Sequence, residues 1–330
     1  MREVKIAAVG VGGAGCNAIT RLYRTGIKSA VTIAINTDLS HLVKLTDAHK
    51  KILIGKEITK GLGAGGNEVI GERSAENSYR EIKNALEGNE LVFISAGMGG
   101  GTGTGAAPVV ARAAKEVGAI VIGVVTFPFK IEKARIEKAV KGIKKMINVC
   151  DTLIVIDNNK LLSYAPNLPI DKAFELADSI MNRAVKGIAD SIVLPSLISM
   201  DYNDLKAIVN SKNSLAMISL GEGEGYNKVE DAIRNTLYHP LLDVNYEDAT
   251  GALIHIEGGE DLTLGDAIKI GNGITEALRE DAEVKLGARI NPEIKNKVYV
   301  TAVIVGVRSP SIFGKSEKDK EEKTVDLDLL

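Results

Sequence analysis

Seven consecutive residues, Gly99-Gly-Gly-Thr-Gly-Thr-Gly105, carry five glycines and two threonines shortly after the apolar run LVFISAG (91–97). Glycine loses more backbone freedom on folding than any other residue, so such a run is costly unless bare backbone is needed against something. A second glycine-rich turn, GVGGAGCN (10–17), follows the apolar run VKIAAVG (4–10) in the same strand–loop–helix setting. In both, the helix after the turn offers free N–H groups and the positive end of its dipole, and glycine lets those groups converge without a Cβ in the way. That combination suits phosphate, and two such loops from neighbouring strands can grip a polyphosphate chain. The hydroxyls of Thr102 and Thr104 add further donors. Taken alone, the first loop is also compatible with a tight packing turn, since Gly10-x-Gly12-x-x-Gly15 is a common pattern.

The first half of the chain repeats this rhythm. Strands are expected at 31–36, 51–55, 119–127 and 151–158, and helices at 17–26, 68–88, 106–118 and 131–147. Apolar runs between amphipathic helices predict a Rossmann-like α/β domain over 1–170, with a mostly parallel sheet covered on both faces. A long central helix is expected at 171–190, where Ala173, Phe174, Ala177, Ile180, Met181, Ala184, Val185 and Ile188 keep helical spacing and form one wide buried face. Pro195 follows it. Residues 191–308 change rhythm and predict a smaller α+β domain with a mixed or antiparallel sheet. The stretch 309–330 opens with a charge run, ends in TVDLDLL and reads as a flexible tail.

Several classes are disfavoured by composition. The formal net charge of −2 argues against a nucleic-acid partner. Cys16 and Cys150 are the only two cysteines, so neither a disulfide framework nor a cysteine metal pair is expected, and no protein-held metal is assigned. No stretch approaches the roughly 18 apolar residues of a membrane span. The N-terminus runs directly into an apolar strand rather than a signal peptide, which gives a cytoplasmic expectation.

The glycine pattern and Asp38, near the end of the second strand, raise a nicotinamide dinucleotide site as a rival. A dehydrogenase has no use for the second loop, and His41, His49, His239 and His255 sit in no recognisable catalytic setting. The usual triphosphate signatures are also missing: no GxxxxGK[ST] is present, and the GKS at 314–316 lies in the tail. NKVE (227–230) lacks the aspartate of the familiar guanine-reading motif.

GGGTGTG after a strand, with GVGGAGCNA, INTD (35–38), TKGLGAGGNEVIG (59–71), VVTFPF (124–129), IDNNKLL (156–162) and KAF (172–174), resembles the FtsZ branch of the tubulin/FtsZ family, its archaeal members in particular. The resemblance runs from residue 4 to about residue 308. It implies a GTP-binding, GTP-hydrolysing protein that polymerises head-to-tail into division filaments, with GTP or GDP and Mg²⁺ as ligands. Gly13, Ala14, Gly15, Cys16, Asn17, Gly103, Thr104 and Gly105 would contact phosphates, with Met98 and Gly99 at the loop entrance. Phe174 would lie against the guanine face, Asp178 would accept its N1 and N2 hydrogens, and Asn158 would sit by the base or ribose. Glu132 and Arg135 would reach ribose and phosphates, although PFKIEKAR lacks the glycine of the family's PFxxEGxxxR.

The same resemblance makes 196–206 the loop that completes a neighbour's active site, with Asp201 and Asp204 as catalytic acids. Ser199 stands where the family usually has asparagine, which keeps open a scaffold that hydrolyses GTP slowly or not at all. The tail would recruit membrane-tethering partners, with no direct membrane insertion. Each assignment has a plainer reading in the residues alone. Phe174 lies on the apolar stripe of its helix, Glu132 and Arg135 read as exposed helix charges, and Asp201 with Asp204 reads as an acidic first turn complementing a helix dipole.

Overall fold

The structure is a computed structural model and describes residues 4–164, 167, 169–193, 196, 198, 201–209, 214–238, 246 and 249–307. The chain enters as strand β1 (Ile6–Val11), turns into helix α1 (Gly12–Arg24), and continues as β2 (Val31–Asn36), α2 (Leu39–Lys44), β3 (Lys50–Leu53) and the single turn α3 (Lys56–Thr59). Helices α4 (Glu68–Asn77) and α5 (Tyr79–Leu86) lead to β4 (Leu91–Gly97), α6 (Thr102–Glu116), β5 (Ile120–Phe127), α7 (Lys133–Ile147), β6 (Thr152–Asp157) and α8 (Asn158–Tyr164). The long helix α9 (Ile170–Val193) follows, then α10 (Tyr202–Val209), β7 (Ser214–Glu224), α11 (Lys228–Leu237), β8 (Gly251–Gly258), α12 (Leu264–Thr275), β9 (Glu283–Ile290) and β10 (Lys297–Val305).

The described strands form one sheet in the order β3-β2-β1-β4-β5-β6-β7-β10-β8-β9. Pairings from β3 through β7 are parallel. Strand β10 is antiparallel to both β7 and β8, and β9 is parallel to β8. The expected smaller mixed sheet is therefore a continuation of the parallel one. The two join through Thr152↔Ser214, Leu153↔Leu215 and Ile154↔Ala216, which covers the otherwise open edge of β6.

All six residues of β1 are buried, as expected for a strand covered on both faces. Alternate side chains serve different cores. Ala8, Phe93, Ile122 and Ile188 pack together on the face covered by α1 and α9, while Ala7, Val9, Ile94, Val110 and Ile143 pack on the face covered by α4 to α7. A third core, including Ile254, Ile270, Ile274, Val300 and Ile304, lies under α11 and α12. Each large apolar side chain buried this fully contributes about 1.5–3 kcal/mol.

Local differences from the sequence reading have identifiable causes. Helices α1 and α6 begin at Gly12 and Thr102, inside the glycine turns, so those turns are themselves the first helical turns. Helix α6 runs through Pro108, which has no N–H to offer the Thr104 carbonyl one turn back. The helix expected at 68–88 breaks at Ser78, whose hydroxyl accepts the Gly55 N–H at 3.2 Å. Pro195, Ser199, His239, the tail 309–330 and the side chain of Phe174 lie outside the described residues.

Candidate nucleotide site

From β1 the chain steps outward to β2 and β3, then returns and steps the other way through β4, β5 and β6. The gap between β1 and β4 is thus a topological switch point, where a crevice opens beyond the carboxyl ends of parallel strands. A cavity of about 650 Å³ lies there, walled by the starts of α1 and α6, the ends of β4 and β5, and side chains from α7, α8 and α9. Both glycine loops face it. The N-cap residues Val11 and Gly101 make no side-chain cap, and neither first turn contains an acid. Two sets of uncapped N–H groups and two positive dipole ends converge on one space.

Close backbone approach explains the glycines. Gly12 has φ +74°, and a Cβ on it would lie 2.8 Å from the Gly103 nitrogen. That approach sets the two loops backbone to backbone, and a Cβ on Gly103 would lie 2.5 Å from the Gly97 oxygen, where the second loop closes on itself. Side-chain hydroxyls brace them. Thr37 and Thr102 share a hydrogen bond of 2.6 Å, and the Gly99 N–H donates to the Thr104 hydroxyl at 2.8 Å. The Met98 N–H donates to the Thr126 carbonyl at 2.9 Å.

Of the residues singled out in the sequence, Gly13, Ala14, Asn17, Met98, Gly103, Glu132, Arg135, Asn158 and Asp178 line the cavity. Gly15, Cys16, Gly99, Thr104 and Gly105 are not part of its wall. A Cβ on Gly15 would lie 2.3 Å from the Ser95 oxygen and one on Gly105 would lie 2.0 Å from the Glu68 oxygen, so these two seat α1 on β4 and α6 on α4. Cys16 is fully buried against the Gly10 and Ile35 carbonyls, and burial pushes its thiol up to about 12. Thr104 spends its hydroxyl on the loop itself.

The far end of the cavity is polar and shielded. Asn158 is buried, and its Oδ1 has no hydrogen-bond partner among the described residues. An orphaned buried acceptor of this kind fits a ligand that brings a donor. Asp178, on α9, accepts from Arg21 Nε at 2.9 Å. Burial pushes its carboxyl up to about 6, against the opposing pull of Arg21. Glu132 accepts from the Phe129 N–H at 3.0 Å and from Arg135 at 2.6 Å, so the two residues left insecure by the missing glycine form a pair at the wall. Arg21, His41, Thr126 and Pro128 also line the cavity, although the sequence assigns none of them a role there. Arg21 alone had a usable signal, its place four residues after Asn17 on one face of α1.

Asp201 and Asp204 lie elsewhere. Each accepts the other's backbone N–H, at 3.0 and 2.8 Å, which closes the first turn of α10 reciprocally. Lys285 sits 3.1 Å from Asp204 and, with the Asp201 amide, holds its carboxyl below the ordinary range. The adjacent Tyr202 hydroxyl donates to the carbonyl of Glu90, the residue before β4. The cavity lies past the other end of that strand. Seven residues of β4 at about 3.3 Å each separate acids and cavity by roughly 20 Å. No three His, Cys, Asp or Glu among the described residues cluster to hold a metal.

The parallel sheet, the paired glycine loops at its switch point and the long helix beside them define a tubulin-class fold. Residues 5–166 match the model described as Tubulin/FtsZ family, GTPase domain, and 214–308 match FtsZ family, C-terminal domain. Cell division protein FtsZ 2 of Methanocaldococcus jannaschii is 55% identical over 96% of this chain and 84% of its own length. Cell division protein FtsZ 2 of Haloferax volcanii is 50% identical over 98% and 80%. Among solved structures, the empty FtsZ dimer of M. jannaschii superposes with a TM-score of 0.87 at 46% identity, covering 92% of this chain and 89% of that one. The chain belongs to the FtsZ branch of the tubulin/FtsZ family. That removes the dinucleotide rival, and Asp38 has a structural task instead, capping α2 by accepting the His41 N–H at 2.9 Å.

Proposed function

We propose that this protein binds GTP in the cavity between β1 and β4, assembles head-to-tail, and hydrolyses GTP at the contact between successive subunits during cell division. The observation that carries this reading is the opposition of acids and cavity across the sheet. The only carboxylates among the described cavity residues are Glu132 and Asp178, and both are engaged, by Arg135 and by Arg21. Neither is placed to activate water at a terminal phosphate. Asp201 and Asp204 are exposed to half-exposed at the opposite end of β4. A head-to-tail contact brings one subunit's acids to the next subunit's nucleotide, and such a heterologous contact propagates as a filament.

Each group then has a role. The free amides at the starts of α1 and α6 hold phosphate oxygens. Asp178, with acceptors only, takes the two donors on the guanine edge and rejects adenine, and Asn158 Oδ1 accepts from base or ribose. Arg135 faces the phosphates, oriented by Glu132. Asp201 and Asp204 from the neighbour orient and deprotonate the attacking water. Mg²⁺ entering with the nucleotide would supply charge neutralisation at the phosphates. Exposed Leu39, Val43 and Leu62 beside the cavity-lining His41 support a subunit contact over its mouth.

A second reading, an assembly scaffold that binds GTP and hydrolyses it poorly, is favoured by one observation. Both acids are already satisfied within their own chain, Asp204 doubly so by Lys285. Attachment to membranes through a partner that docks on 324–330, in the cytoplasm at the division site, completes the proposal. Among the described residues no helix is long and apolar enough to cross a membrane.

Mixing separates the readings. Wild type blended with Asp204→Ala at constant total protein is predicted to lose phosphate release per wild-type subunit as the variant fraction rises, because nucleotides then face neighbours that lack one of the two acids. Release per wild-type subunit that is independent of the blend would place the acids' action within one chain. Assembly with negligible release in unmixed wild type would select the scaffold.

A further inference from the structure

Arg21 joins the two helices that frame the cavity. It projects from α1, four residues after Asn17, and its guanidinium spans two carboxylates one turn apart on α9, Nε to Asp178 Oδ2 at 2.9 Å and Nη1 to Glu175 Oε1 at 3.0 Å. The Asp178 side chain is 13% exposed and Arg21 34%, so this pair is largely shielded at the inner end of the cavity. Among the described residues only Arg21 bonds the Asp178 carboxylate, through Oδ2, and no side chain takes Oδ1. A planar guanidinium anchored at two points fixes the plane of the carboxylate it touches, which a flexible ammonium does not.

We propose that Arg21 is the positioning residue of the base pocket: it holds the Asp178 carboxylate ionised and in the plane that accepts both edge donors of guanine, and thereby sets the preference for guanine and the acid limit of that preference. The inference rests on Asp178 being the base acceptor, as argued under Proposed function.

Burial disfavours the charged carboxylate, and the neighbouring Glu175 adds to that, while Arg21 opposes both. Glu175 is itself partly compensated by Lys172 at 2.6 Å. Across the cavity stand His41 from α2 and the mutually paired Glu132 and Arg135 from α7. A protonated Asp178 would present its own O–H toward guanine N1–H and N2–H, donor against donor. The ionised form is the one that distinguishes guanine, while the protonated form is left with the phosphate contacts that both nucleotides share. Removing Arg21 raises the Asp178 pKa, shrinks the ionised fraction at any given pH, and moves the loss of guanine preference on acidification to higher pH.

The test compares GTP with inosine triphosphate, which keeps N1–H but lacks the N2 amino group. Both carry the same titrating phosphates, so their affinity ratio cancels phosphate protonation. Equilibrium displacement on the full chain between pH 5.5 and 8 is run for wild type, Arg21→Lys, Arg21→Ala and Asp178→Asn. In wild type the ratio should be high at pH 7.5 and collapse around pH 6. In Arg21→Ala the collapse should move up by about one pH unit, with the ratio at pH 7 reduced about twofold as the ionised fraction falls from about nine-tenths to about one half. Arg21→Lys, which keeps charge but not the fork, should fall between and serves alone should the alanine variant not fold. A uniform loss of GTP and inosine triphosphate affinity with an unchanged ratio at every pH would overturn the proposal, since Arg21 would then act only through charge or packing. An unchanged ratio in Asp178→Asn would instead remove the base assignment itself, a distinct failure.

Discussion

Gly13 and Gly105 look equivalent in the sequence, yet the structure gives them different work. A Cβ on Gly13 meets only the His41 ring, at 3.8 Å, whereas one on Gly105 meets the backbone of α4 at 2.0 and 2.6 Å. Gly105→Ala is predicted to cost about 1–3 kcal/mol or more by forcing α4 and α6 apart. Gly13→Ala should leave thermal stability within about 1 kcal/mol of wild type. Thermal melts of the two variants check this, and equal losses would contradict the packing role given to Gly105. The cysteines supply a second residue-scale outcome. Cys16 and Cys150 are both buried, and burial pushes both thiols up to about 12. At pH 8 they remain neutral thiols, so neither should react with a thiol reagent in the native protein, while both should react in denaturant. Rapid native labelling of Cys16 would mean that the α1 turn opens far more readily than its packing indicates.

At the scale of elements, the cavity-lining loop 97–101 depends on one hydroxyl from the helix it precedes. Thr104→Val keeps the shape of the side chain but leaves the Gly99 N–H without its 2.8 Å partner. The predicted cost is about 1–3 kcal/mol in chemical denaturation, together with weaker GTP binding from a loosened loop. Unchanged stability would show that water or another acceptor replaces the hydroxyl. Much of this level could be read directly. Strands at 31–36 and 91–97 fall where their apolar runs lie, because a strand buried on both faces needs a continuous apolar segment and little else. The break at Ser78 could not be read, since it rests on a bond to Gly55, twenty-three residues earlier. The same holds for the join of β6 to β7: the apolar runs at 151–158 and 214–220 announce strands but not partners. In the site, glycine spacing announces the two loops that wall the cavity with no help from tertiary structure. Arg21 has only its spacing from Asn17 to mark it, because nothing else local to a cation on an amphipathic helix tells a buried bridge from a solvated charge.

For the whole molecule, direction matters most. The cavity opens at one end of the parallel strands, and the acids sit near the other, tied there by the Tyr202 bond to Glu90. The acidic turn at 201–204 is a helix cap within its own chain, as the residues alone suggest. The proposed catalytic role concerns the neighbouring chain, and one sequence contains no local signal for a contact between copies. Only the family resemblance pointed there, while the opposite placement of cap and cavity supplies the physical reason. The measurement that tests this most directly is phosphate release with GTP and Mg²⁺ as a function of protein concentration, with light scattering read in parallel. The account predicts negligible specific activity below a critical concentration and a rise together with scattering above it. Specific activity that is constant with concentration, in the absence of scattering, would contradict the shared site.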